Sequence, residues 1–113
     1  MASPSGRYTL RQVPVEDAYD VAGYTFSITE AEGAVETTYL ADEYFRKRDR
    51  FYLNWDESHD IVWVYSGGKG CFCWIYQEGE WDKHTFAEAQ TMSLTPPKQW
   101  ELPAVYQDSY EPN

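Results

Sequence analysis

The sequence predicts a mainly β domain: an antiparallel meander of about six strands carrying one or two short helices. Three observations predict it. Residues 51–55, 61–65 and 71–76 are short runs rich in β-branched and aromatic residues, too short for helices. Connections of about five residues separate them, the second being the glycine-rich Ser66-Gly-Gly-Lys-Gly70. Upstream, Tyr24, Phe26 and Ile28 alternate with Thr25, Ser27 and Thr29, the period-2 pattern of a half-buried strand. The alternative is an α+β fold with helices covering one sheet face.

In chain order, residues 1–6 carry no charged-then-apolar leader pattern and read as a flexible lead-in to a single globular domain over 7–113. Residues 7–13 form a first strand, ended by Pro14. Residues 15–22 suit one helical turn stopped by Gly23. After the strand at 24–29, residues 30–33 make a turn and 34–40 pair back as the second arm of a hairpin. Residues 41–50 suit a short helix, because Asp42/Arg46 and Glu43/Lys47 stand at i,i+4 with the acid first. Residues 85–92 suit another. Thr95-Pro-Pro-Lys98 breaks any regular element, and the tail beyond it runs extended, pinned by Trp100, Leu102, Val105 and Tyr106.

The central runs are apolar on both faces. Ile61, Trp63 and Tyr65 share one face and Val62 and Val64 the other; Phe72, Trp74 and Tyr76 oppose Cys71, Cys73 and Ile75. A strand with one wet face alternates apolar with polar. These strands are therefore either covered twice or expose an aromatic stripe, which would be a binding surface.

Composition narrows the function classes. The 113 residues include five Trp, ten Tyr and five Phe, against the pattern of a disordered chain. The net charge of −10 disfavours nucleic acid and anionic membranes as partners and permits a basic protein. Four of the 9 bases, Arg46, Lys47, Arg48 and Arg50, cluster around Asp49 and suit a solvated, acid-paired face. No apolar run approaches the length of a membrane-spanning helix.

Motifs for chemistry are weak. Ser66–Gly70 has its Lys followed by Gly and then a strand, so it suits a hairpin turn with positive φ rather than a phosphate loop. His59, with Asp56, Glu57 and Asp60, lacks the further ligands that a zinc site needs, and His84 is distant in sequence. Cys71 and Cys73, at i and i+2 of a strand, sit about 6–7 Å apart, whereas a disulfide wants Cβ atoms about 3.8 Å apart. Two buried free thiols follow, in a reducing, cytoplasmic compartment. No catalytic residue, metal or cofactor is assigned.

The functional expectation is a non-catalytic acidic binding protein, of inhibitor or immunity type, that blocks a more basic partner protein. Its contact set is placed at the meander ends: Trp55, Asp56, Glu57, Asp60, Trp81 and Asp82. There acids speed encounter and rings hold the partner. The alternative is a small-ligand or carbohydrate-binding module using exposed Trp and Tyr on a sheet face. An enzyme centred on His59 or His84 with an acid is a third reading.

Overall fold

The computed structural model describes residues 1–16, 22–32 and 34–106. They form two four-stranded antiparallel sheets. The first sheet holds β1 (Tyr8–Glu16), β2 (Ala22–Glu32), β3 (Val35–Leu40) and the two-residue β4 (Phe45–Arg46). Here β1 lies on one side of β2, and β3 and β4 follow one another along its other side. The second sheet is a meander of β5 (Phe51–Trp55), β6 (Ile61–Ser66), β7 (Gly70–Gln77) and β8 (Glu80–Thr85). Helix α1 (Phe86–Thr91) and a 3-10 turn (Ala104–Tyr106) complete the chain.

The alternating side chains of each strand decide how these parts stack. Tyr8, Leu10, Phe26, Ile28 and Phe45 from the first sheet meet Trp55, Val62, Val64 and Trp74 from the second. At the centre the Phe26 ring meets Trp74 edge-to-face, centroids 4.8 Å apart. The opposite face of the second sheet presents Ile61, Trp63, Tyr65, Cys71 and Cys73, which pack against Ala89 and Phe86 of α1 and against Leu94, Trp100, Leu102 and Tyr106. The double apolar pattern of β6 and β7 thus reflects two covers, and all six residues of β6 are buried.

Local chemistry sets the connections. The β7–β8 turn has positive φ at both central residues, Glu78 (51°) and Gly79 (86°), as a two-residue type I′ hairpin requires. Helix α1 starts with a capping box: the Glu88 amide donates to Thr85 Oγ1 at 3.2 Å and the Thr85 amide to Glu88 Oε1 at 2.9 Å. In the β6–β7 connection only Gly70 takes positive φ (111°). Tyr106 and Trp100 close the second core on Tyr65 and Tyr52, with ring centroids 5.8 and 5.3 Å apart, while Val105 points outward.

Several elements differ from the sequence expectation. Residues 1–6 fold back on β1: the Ser3 amide donates to the Tyr8 carbonyl (2.9 Å) and the Leu10 amide to the Met1 carbonyl (2.8 Å). Pro14 does not end β1, which runs to Glu16 as an edge strand where a missing N–H costs no ladder bond. Of the helical turn expected at 15–22, residues 15, 16 and 22 are strand and 17–21 lie outside the described residues. Strand β2 continues through the turn expected at 30–33 as far as Glu32, and Gly33 lies outside the described residues.

The helix expected at 41–50 is absent; residues 45–46 are strand instead. Residues 41–44 face only Thr25 and Phe26 of β2, so the chain bulges between β3 and β4. The bulge carries Glu43 across to ion pairs with Lys83 of β8 and, at 3.9 Å, Lys69. Arg46 turns to Asp49 at 3.3 Å. Of the residues that suggested helical i,i+4 pairs, Glu43 is used across the two sheets and Arg46 within a turn.

Gly23, read as a helix stop, is a point of close approach. A Cβ there would lie 2.5 Å from the Phe45 carbonyl oxygen and 2.5 Å from the Tyr44 ring. Gly23→Ala should therefore lower stability by about 1–3 kcal/mol, read from the urea midpoint, because backbone and ring would both have to shift. An unchanged midpoint would show that β2 and β4 do not approach this closely.

Candidate functional site

The structure disperses the six expected contact residues. Trp55 is only 5% exposed; it lies between the sheets and donates its indole N–H to the Met1 carbonyl at 3.0 Å. It cannot meet a partner in this position, because its ring fills the first core. Its Trp81 neighbour, with ring centroids 6.2 Å apart, is half-buried at the edge of that core.

Asp56 holds the 56–60 connection together. Its carboxylate accepts from the Trp63 indole (2.9 Å), the Ser58 and His59 amides (3.1 Å each) and His59 Nδ1 (3.2 Å). Partial burial alone would push its pKa up; these hydrogen bonds outweigh it and hold the carboxyl below the ordinary value. Asp60 is similar, its burial outweighed by bonds from the Ser5 hydroxyl and amide. Glu57 is exposed and accepts the Lys98 amide at 3.0 Å. Two of the three carboxylates in this connection are therefore committed to organising loops, a role hidden until their donors are located.

Trp81 belongs to a different place, whereas Asp82, opposite Ile75, lies on the other face of β8. A cleft of about 430 Å³ opens between β3 and the β7–β8 hairpin, within the usual size range of small binding pockets. Tyr39, Thr37 and Thr38 line it from β3, and Tyr76, Glu80 and Trp81 from the hairpin. Tyr8 and Glu30 complete it from behind. Tyr8, Tyr76 and Trp81 brace one another, with centroids 5.1 Å apart for Tyr8–Trp81 and 5.4 Å for Tyr76–Trp81. Tyr76 remains 47% exposed and supplies the open ring face.

The surroundings of the cleft are acidic. The pKa of Tyr39 is raised, first by burial and then by Asp42, Glu43 and Asp82, against a hydrogen bond with Trp74 that lowers it. Burial likewise raises Tyr8, with Glu30 and Asp60 adding to the effect against Arg7. Glu30 is paired with Arg7, while Glu80 stands exposed. Tyr8, Thr37, Thr38, Tyr39, Tyr76 and Glu80 were missed from sequence, because their proximity depends on two sheets meeting at one edge. The faint signal was the turn at Glu78-Gly79, which folds β8 back so that Trp81 reaches Tyr76.

The groups that could carry covalent chemistry are poorly disposed for it. Cys71 and Cys73 are free and buried, and burial pushes both thiols up to about 12, leaving almost no thiolate near neutral pH. Cys73 stands opposite His84 on the neighbouring strand, and His84 lies 3.9 Å from Glu88. This order of residues is that of a nucleophile, base and orienting acid, but the sulfur is sealed under α1 and the C-terminal segment. Among the described residues no group of three or more His, Cys, Asp or Glu is placed to hold a metal ion. No helix among them is long and apolar enough to cross a membrane. Both faces of β6 are covered, so this strand offers no open aromatic face for sugar stacking. No protein-family model, curated protein or solved structure matches this chain.

Replacing Asp56 tests its structural role. Asp56→Ala leaves the buried Trp63 indole without its acceptor and should cost about 1–3 kcal/mol in urea unfolding near neutral pH. A depressed folded-state pKa contributes stability that is complete above the unfolded value, near 3.8, and is lost as pH falls through the lower folded value. The gap between wild type and variant should therefore narrow on acidification below about pH 4. A pH-independent gap would mean that the charge of Asp56 contributes nothing.

Proposed function

We propose that this is a non-catalytic acidic binding protein that captures a basic segment of a partner protein, in the manner of an inhibitor. The contact surface is the cleft between β3 and the β7–β8 hairpin, with Trp81 kept from the six residues expected from sequence. The observation that carries the reading is the conjunction, in one concave place, of the Tyr39, Tyr76 and Trp81 rings with Glu30 and Glu80. Aromatic faces and carboxylates together favour Lys and Arg side chains, through cation–π contact and charge. Of the bases nearby, Lys69 and Lys83 share the single carboxylate of Glu43 and Arg7 pairs with Glu30, so the exposed Glu80 is the lining acid with most to offer a partner. A net charge of −10 adds long-range attraction for the same class of partner.

Titration of the 15N-labelled protein with a short Lys/Arg-rich peptide at low salt tests the site. Shifts should concentrate at Thr37, Thr38, Tyr39, Tyr76 and the Trp81 indole, and weaken as salt rises. Glu80→Lys, at an exposed position, should weaken binding by at least about fivefold without changing the unfolding midpoint, and Tyr76→Ala should weaken it as much while lowering the midpoint through its lost ring contacts with Tyr8 and Trp81. Shifts spread evenly over the acidic surface, or unaffected by either substitution, would remove the cleft from consideration.

A further inference from the structure

We infer that the captured segment binds as an extended β-strand, adding to the first sheet along the free edge of β3 and turning alternate basic side chains into the cleft. This rests on the cleft being the binding site and specifies the conformation and chemistry of what enters it. β3 has β2 as its one strand neighbour among the described residues. Its outer edge therefore presents backbone N–H and C=O groups that a further strand can pair.

The other long edges differ from β3: β5, the outer strand of the second sheet beside β6, has every residue buried or half-buried. β1 is paired by residues 1–3 over its first half and carries Pro14 in its second. β8 carries Glu80, Asp82 and Lys83 within six residues. β3 reads Val-Glu-Thr-Thr-Tyr-Leu, with no Lys, no Pro and an unbroken register against β2. Five of its six residues are exposed, Val35 by 66% and Leu40 by 59%. An exposed six-residue edge whose one charge is the acid Glu36 leaves its backbone groups open to pairing, and suits a basic strand better than a neutral one.

Register connects this edge to the cleft. Tyr39 stands opposite Ile28 and Thr37 opposite Glu30, and all four line the cleft. Side chains of a strand paired with β3 alternate between the two sheet faces, so every second one shares the face of Thr37 and Tyr39. Those side chains would meet Tyr76, Trp81 and Glu80 from across the cleft. Charge selects the occupant: Glu30 and Glu80 line the cleft of a chain with net charge −10, so alternate Lys or Arg residues fit. A second copy of this chain would bring the same acids to the same edge.

Backbone methylation separates strand addition from charge capture. The probe is a blocked peptide of alternating Lys and Val, compared with two isomers N-methylated along one edge or along the other. The parent should shift the β3 amides and the Trp81 indole. One isomer should bind at least about tenfold more weakly, and the other within about twofold of the parent. If both isomers bind like the parent and shift the same residues, strand addition is overturned while the cleft reading stands. If the parent shifts neither β3 nor Trp81, both readings fail. If the protein alone dimerises at high salt with protected β3 amides, the edge serves a second copy and the peptide assignment is overturned.

Discussion

The side chains of β6 alternate between two faces, and neither face can be left in water. Val62 and Val64 point one way, Ile61, Trp63 and Tyr65 the other, and all are buried. Large apolar side chains of this kind contribute about 1.5–3 kcal/mol each when buried, so exposing either face would forfeit a large part of a small domain's stability. The molecule therefore needs three layers. The first sheet covers one face, and α1 with the C-terminal segment covers the other. Most of the aromatic residues are used in these two contacts, including Trp55, Trp63 and Trp74, which are almost completely buried.

This arrangement also explains where a binding surface can lie. Rings consumed by the two cores cannot contact a partner, and Asp56 and Asp60 are spent on holding loops. The surface we propose is the edge where the two sheets separate, at β3 and the β7–β8 hairpin. Tyr39, Tyr76 and Trp81 lie there at the limit of the first core, partly packed and partly open. The ion pairs from Glu43 to Lys83 and Lys69 tie the β3–β4 bulge to the second sheet.

The sequence made the strands legible wherever periodicity and turn chemistry agreed. The three central runs and α1 lie where alternation, glycine-rich turns and length place them, and β2 and β3 form the expected hairpin with its arms longer and its turn later. The division of Ile61, Trp63 and Tyr65 from Val62 and Val64 was also legible, though not what would cover each face. Residues 41–50 misled because i,i+4 charge pairs resemble helix pairs whenever their real partners lie elsewhere; Lys83 and Lys69 are far from Glu43 in sequence. Gly23 misled because a glycine required for a close approach by Tyr44 looks, in one dimension, like a helix stop. β8 was missed because Glu80, Asp82 and Lys83 break its apolar pattern, as suits an edge strand. Of the residues lining the proposed cleft, Trp81 was among those placed at the meander ends from sequence. Tyr39 and Tyr76 were not, because only the stacking of two sheets makes them neighbours.

Native-state hydrogen exchange of the β6 amides, followed through increasing urea, tests the doubly covered strand most directly. If both layers seal it, these amides should be among the slowest in the molecule and should open only with global unfolding, while β3 amides exchange through local fluctuations. Exchange of Ile61–Ser66 at the rate of β3, or through an opening much smaller than global unfolding, would contradict the three-layer account.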